Sequence, residues 1–219
     1  PRLIERLSQN IDRSLTVVSA PAGYGKSTLL SSWVNGHGIL NAWLSLDESD
    51  NDTAQFLTYF IAAVGSIFPQ AMAKSSALLD TAATPQIPMV ADRLVADLDQ
   101  TGEPFVLVLD DYHLIHNDDI HKLLTALIKA PGGSMHLAVA SRKDPPIPLA
   151  TYRAKGWVTE IRANDLRFST AEAAAFVEKC VGRPVKESAL AALGSKTEGW
   201  VTALRLAALT VRNSPDLEH

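Results

Sequence analysis

Short apolar runs of strand length alternate along the chain with stretches whose apolar residues recur at helical spacing. Leu15 to Ser19 (LTVVS) is a β-branched run that ends in a glycine-rich segment, APAGYG. Lys26 to Asn35 then carries Leu29, Leu30 and Trp33 on one side, which predicts strand, loop and helix in succession. Ile39 to Leu46 reads as a second strand. Asn51, Asp52 and Thr53 supply N-cap candidates for a helix that places Leu57, Phe60, Ile61 and Val64 on one face. Between Pro69 and Pro88 the pattern loosens into Ala, Ser, Thr and Pro, which predicts a surface excursion before a helix over Met89 to Gln100. Phe105 to Leu109 is a continuous apolar run, as expected of a strand buried on both faces of a parallel sheet. It delivers Asp110 and Asp111. A helix over Ile120 to Lys129, a fourth strand over Met135 to Ala140 and a fifth over Trp157 to Ile161 complete the alternation.

Strands alternating with helices predict an α/β fold, a five-stranded parallel sheet sandwiched by helices. After Asn164 the strands stop and three helices follow. The first opens on Ser169, Thr170, Ala171 and Glu172, a capping box. In the last, Trp200, Ala203, Leu204, Ala207, Ala208 and Val211 fall at helical spacing and read as a face for core packing. The expected organisation is a sheet domain over residues 1–163 and a small helical domain over 164–216. Leu217, Glu218 and His219 read as the remnant of a vector-encoded tag. The sequence shows neither an internal repeat nor a low-complexity tract.

Composition narrows the class. Of 219 residues, 47% are apolar and 20% charged, values of an ordinary globular chain. No apolar run approaches the roughly 18 residues of a membrane span, and no secretory leader opens the chain, so the expectation is a cytoplasmic protein without a membrane partner. The formal net charge of −4 and the absence of any Lys/Arg run argue against direct nucleic-acid binding by this stretch. Cys180 is the single cysteine and lies in a helical pattern beside Glu178, which favours packing over nucleophilic chemistry.

Candidate chemistry centres on Ala20 to Ser27 (APAGYGKS), which fits the phosphate-loop pattern except that Ala20 replaces the first Gly. The loop leaves a strand and opens a helix, so backbone N–H groups and the helix dipole can converge on an anion. Ala22, Gly23, Tyr24, Gly25, Lys26, Ser27 and Thr28 are therefore the candidate nucleotide contacts. Lys26 would reach the β/γ oxygens and Ser27 would offer its hydroxyl to Mg²⁺. Asp110 is the second candidate Mg²⁺ residue. Asp111 is the candidate to polarise an attacking water, against the plainer reading that an Asp pair starts a turn. Arg142 ends a strand expected to lie between those bearing Lys26 and Asp110, where a guanidinium would face a γ-phosphate; the alternative is a solvated Arg before the turn at Asp144, Pro145 and Pro146. His113, His116 and His121 lack cysteine partners at zinc spacing. His113 is close enough in sequence to orient Asp111.

Taken together, Ser19 to Thr28 (SAPAGYGKST), Trp43 to Asp52 (WLSLDESDND), Leu109 to His113 (LDDYH), Ser141 with Arg142, and Thr197 to Val201 (TEGWV) resemble the ATPase module of large bacterial transcription activators akin to the maltose regulon activator. These belong to the signal-transducing ATPases with numerous domains. The resemblance implies a P-loop NTPase fold and an ATP/ADP switch with Mg²⁺ that turns over slowly. It further implies ligand-dependent self-association of the full-length protein and a LuxR-type helix-turn-helix outside this stretch. It also implies that the segment around Arg2 to Leu7 and the helical domain close over adenine. Many wider relatives carry Gly-x-Pro where this chain has Gly199, Trp200 and Val201, so a Pro contact to the base is not expected here and Trp200 is the candidate to pack in its stead. Three readings compete with the switch: a nucleotide-gated scaffold without hydrolysis, another AAA+-related ATPase, and a small-molecule kinase, for which no Arg-rich lid is evident.

Overall fold

A computed structural model describes residues 1–79, 86–130 and 134–213. The elements in chain order are α1 (Arg2–Ser8), β1 (Leu15–Ser19), α2 (Lys26–Gly36), β2 (Asn41–Ser45), α3 (Thr53–Gly65), α4 (Ala73–Leu79), α5 (Ile87–Leu98) and β3 (Phe105–Asp110). There follow α6 (Asp118–Lys129), β4 (Met135–Ser141), α7 (Leu149–Ala154), β5 (Val158–Arg162), α8 (Ala163–Leu166), α9 (Thr170–Val181), α10 (Glu187–Thr197) and α11 (Val201–Asn213). Their contacts gather into two compact units, one of Pro1–Ser19 with Ser27–Ile161, the other of Ala20–Lys26 with the chain from Arg162 onward.

The first unit is built on a five-stranded parallel sheet in the order β2-β3-β4-β1-β5. The continuous apolar runs occupy its middle: every residue of β1 and β3 is buried, whereas β2, at an edge, is only partly so. Two covered faces need apolar residues at every position, which is why these strands lack alternation. Phe56, Phe60, Leu94, Leu107, Leu123, Leu137 and Tyr152 belong to the core that joins sheet and helices. Asp52 caps α3 by accepting from the Gln55 N–H at 2.8 Å, as its sequence position suggests.

Three features depart from the sequence reading. The segment expected to be a surface excursion contains α4, whose free first-turn N–H groups find an acceptor far along the chain. Asp97 of α5, itself 1% exposed, accepts from both the Ser75 N–H and its hydroxyl at 2.8 Å. Residues 80–85 of the expected excursion, and the tag remnant at 217–219, lie outside the described residues. Arg2–Ser8 is helical, held where the Trp33 indole of α2 donates to Ser8 Oγ at 3.2 Å. Finally, a one-turn helix, α8, precedes the three expected ones.

The second unit contains α9, α10 and α11 around Ala173, Val177, Val181, Leu204 and Ala208. The capping box at its start is formed: Ser169 Oγ accepts from the Glu172 N–H at 3.2 Å, and the Glu172 carboxylate accepts from the Ser169 N–H at 2.9 Å. Trp200 does not join this core. It precedes the first helical residue, is 38% exposed, and turns toward the glycine-rich loop.

Candidate nucleotide site

Parallel register brings strand ends to one edge of the sheet. Ser19 of β1 pairs with Ser141 of β4, and Leu109 of β3 pairs with Val139, so Asp110, Ser141 and Ser19 terminate together. In open parallel sheets this carboxyl edge is where ligands bind. β4 lies between β3 and β1, the order expected from the sequence, and Arg142 follows directly on its last residue. Arg142 is exposed and forms no ion pair among the described residues.

Asp110 and Asp111 are adjacent in sequence but differ in environment. Asp110 is 7% exposed; its Oδ1 accepts from the Asp111 N–H at 3.0 Å and its carbonyl from the Leu46 N–H at 3.0 Å. Its second carboxylate oxygen has no hydrogen-bond partner among the described residues. An open carboxylate oxygen on a nearly buried side chain at the ligand edge suits a hydrated divalent cation. Asp111 adopts the left-handed conformation, φ 56° and ψ 33°, which Asp tolerates better than most residues. Its side chain is 48% exposed, and His113 Nδ1 lies 3.8 Å from its Oδ1. The adjacency suggested by sequence is therefore also spatial.

The turn after Asp111 is tied down by a residue that sequence reasoning treated only as a cap candidate. Asn51 Oδ1 accepts from the N–H groups of His116 and Asn117 at 2.6 and 3.2 Å, and its Nδ2 donates to the Leu114 carbonyl at 2.9 Å. Asn117 Nδ2 returns a bond to the Asn51 carbonyl at 2.8 Å. Such bonds span more than sixty residues of chain and leave no periodic trace in the sequence.

Beside this turn, Tyr112, His113, His116, His121, Ser141 and Lys143 line a cavity of about 320 Å³. Tyr112 Oη and His121 Nδ1 are 2.6 Å apart and both side chains are buried. Burial pushes the phenol well above its ordinary value, and burial likewise lowers the imidazole, with Asp118 opposing. The phenol thus stays protonated and donates to a neutral imidazole.

The glycine-rich loop belongs to the second unit by its contacts. Gly23 and Gly25 take φ of 78° and 77°, conformations open to glycine and costly for other residues. Ala20, in place of the first Gly of the pattern, is buried and needs no positive φ. Lys26 opens α2, is 7% exposed, and donates from Nζ to the Pro21 carbonyl at 3.1 Å. Ser27 and Thr28 are exposed in the first turn of the helix. Across the loop, Trp200 Nε1 and Thr202 Oγ1 donate to the Gly23 carbonyl at 3.0 and 2.6 Å, and the Tyr24 and Trp200 rings lie 6.1 Å apart at a 30° tilt. Thr202 had no sequence signal, since a Thr in the first turn of a helix is unremarkable.

No protein-family profile matches the chain. It is 36% identical over 211 residues to the HTH-type transcriptional regulator MalT of Yersinia pestis (strain Pestoides F), covering 96% of this chain and 23% of that protein. To the MalT of Serratia proteamaculans (strain 568) it is 35% identical over 213 residues, 97% of this chain and 24% of that one. The chain thus spans about a quarter of the length of these curated relatives. Among solved structures it resembles a Signal Transduction ATPase with Numerous Domains with a tetratricopeptide-repeat sensor from Pyrococcus horikoshii, with a TM-score of 0.65 at 16% identity over 93% of this chain and 29% of that one. It also resembles a Thermotoga maritima RuvB mutant, with a TM-score of 0.55 at 13% identity over 95% of this chain and 61% of that one. At such identities the structures speak for the fold, which is that of the P-loop NTPases.

Proposed function

We propose, starting from a chain that is a MalT-like module of P-loop ATPase fold, that it is the ATP-binding switch of a transcriptional regulator. The observation that carries the proposal is the loop between a buried strand and α2, with two glycines at positive φ and Lys26 and Ser27 at the helix start. In this reading the backbone N–H groups of Ala22 to Gly25 cradle the phosphates, with Thr28 as a further contact. Lys26 exchanges its Pro21 carbonyl for β/γ oxygens. Ser27 and Asp110 would hold Mg²⁺, which supplies charge neutralisation on the phosphate oxygens when bound. Asp111 polarises the attacking water as general base, with His113 orienting its carboxylate, and Arg142 stabilises charge on the transferred group.

Residues 1–163 would form the nucleotide-binding domain and 164–216 the helical one. Turnover is slow, as suits a switch, and the nucleotide state governs self-association of the full-length protein in the cytoplasm. DNA binding is assigned to parts of the regulator outside this chain.

Calorimetric titration of ATP, ADP and GTP with Mg²⁺ tests the reading. Adenine nucleotides are expected to bind, and Lys26→Ala to weaken them at least about 100-fold, since a charge-assisted contact on a desolvated phosphate is lost. Failure of the folded wild-type chain to bind any nucleotide overturns it.

A further inference from the structure

Two hydrogen bonds to one loop carbonyl point beyond the nucleotide contacts themselves. The Gly23 carbonyl accepts simultaneously from Trp200 Nε1 and Thr202 Oγ1, which occupies both lone pairs of the oxygen. No peptide bond in the described chain is cis. In a trans peptide the N–H points opposite to the C=O of the same plane, so fixing the direction of the Gly23 carbonyl also fixes that of the Tyr24 N–H. A phosphate cradle works only with N–H groups turned inward; a carbonyl rotated into it would face the phosphate oxygens with like partial charge.

The donors are themselves held by backbone. Glu198 and Gly199 both adopt left-handed conformations, φ 47° and 73°, immediately before Trp200. The Gly199 carbonyl accepts from the Phe168 N–H at 2.9 Å, and a Cβ at position 199 would collide with the Phe168 carbonyl. Arg167 pairs with Glu198 at 3.0 Å. At the receiving end the approach is equally close, because a Cβ on Gly23 would lie 2.8 Å from Thr202 Oγ1.

We infer that Trp200 and Thr202 are positioning residues for anion binding. They clamp the Gly23–Tyr24 peptide so that the Tyr24 N–H is presented to phosphate, and they thereby couple nucleotide occupancy to the start of α11. The inference rests on the nucleotide reading above. Coupling is reciprocal, so a clamp that raises nucleotide affinity is itself tightened by nucleotide.

The test uses the 219-residue chain with ADP and Mg²⁺ as the probe. Thr202→Val keeps shape and removes the hydroxyl donor; Trp200→Phe keeps a ring beside Tyr24 and removes the indole N–H. Each is expected to weaken ADP by about 3- to 10-fold, the effect of one hydrogen bond. Thr202→Ser, which restores the donor, should bind like wild type. ADP should also change the tryptophan emission of the wild type, and Trp200→Phe should remove that change. Thermal unfolding without ADP shows whether each variant is folded, and an unfolded Thr202→Val leaves the wild-type emission change and the Thr202→Ser affinity to decide. Wild-type affinity in folded Thr202→Val, affinity as weak in Thr202→Ser as in Thr202→Val, or an emission change that survives Trp200→Phe would overturn the clamp. If wild type binds ADP and Lys26→Ala does not while the clamp variants are neutral, only the clamp fails. If wild type binds no nucleotide, both readings fall.

Discussion

Asp110 and Asp111 are neighbours in sequence that stand in different environments. The first is 7% exposed at a strand end with one open carboxylate oxygen; the second is half-exposed and held left-handed, with an imidazole 3.8 Å away. Asp111→Asn retains the shape and the tolerance of that backbone while removing the proposed base. Phosphate release is therefore expected to fall about 100-fold or more, with ATP affinity within about threefold of wild type. Unchanged turnover in that variant would remove Asp111 from the base role, whereas absence of phosphate release from the wild type would favour the scaffold reading, in which nucleotide is bound and not hydrolysed. The pair was legible in the sequence because an apolar strand ended on it. Thr202 and Asn51 were not, because what they touch lies 179 and up to 66 residues away and neither breaks a local pattern.

Among the elements, the central strands announced themselves because burial on both faces leaves an unbroken apolar run, as in β3. The helix α4 did not, since what holds it is the buried Asp97 carboxylate on its first-turn N–H rather than its own Ala- and Ser-rich face. Trp200 departs from the core expected of it for a related reason. Helical spacing assigns it to the apolar face of α11, but it stands one residue before that helix, where a left-handed turn sends it elsewhere. That turn is itself testable. Gly199→Ala adds both an unfavourable φ and a collision with the Phe168 backbone, and should destabilise the helical unit by more than about 2 kcal/mol. Urea unfolding followed by circular dichroism measures it, and a loss below about 0.5 kcal/mol would show that the turn relaxes freely.

At the scale of the whole molecule, a buried imidazole is expected to contribute to the response to acid. His136 of β4 is 4% exposed; its Nδ1 faces the carbonyls of Ile11 and Arg13 at 3.1 and 2.6 Å, and Nε2 faces Thr16 Oγ1 at 2.9 Å. The neutral ring with its proton on Nδ1 satisfies all three, accepting from the Thr16 hydroxyl. Burial holds its pKa below the ordinary 6.5, against the pull of the two carbonyls and Asp12. The unfolded chain then takes up a proton near pH 6.5 that the folded chain resists. Stability should thus be flat above about pH 7 and decline as pH falls from 6.5 toward the folded pKa, by up to about 1.4 kcal/mol per unit for this site. Urea midpoints at pH 7.5 and 5.5 report it, and His136→Gln should flatten the slope. An equal slope in wild type and variant would place the acid sensitivity elsewhere; His121, also lowered by burial, would then be the next to test.

The clamp on Gly23 also has a temporal side. Its donors are encoded 177 and 179 residues after the carbonyl they hold, so the loop is synthesised well before the residues that complete its native contacts. Contacts of such separation form late, after the chain between them has collapsed. On a translating ribosome, where domains fold as they emerge at about 5–20 residues per second, the sheet could assemble some seconds before the loop is closed. Nucleotide capture would then mark completion of this stretch of polypeptide, and a nascent chain halted before Trp200 would carry the whole phosphate-loop motif without its native shape.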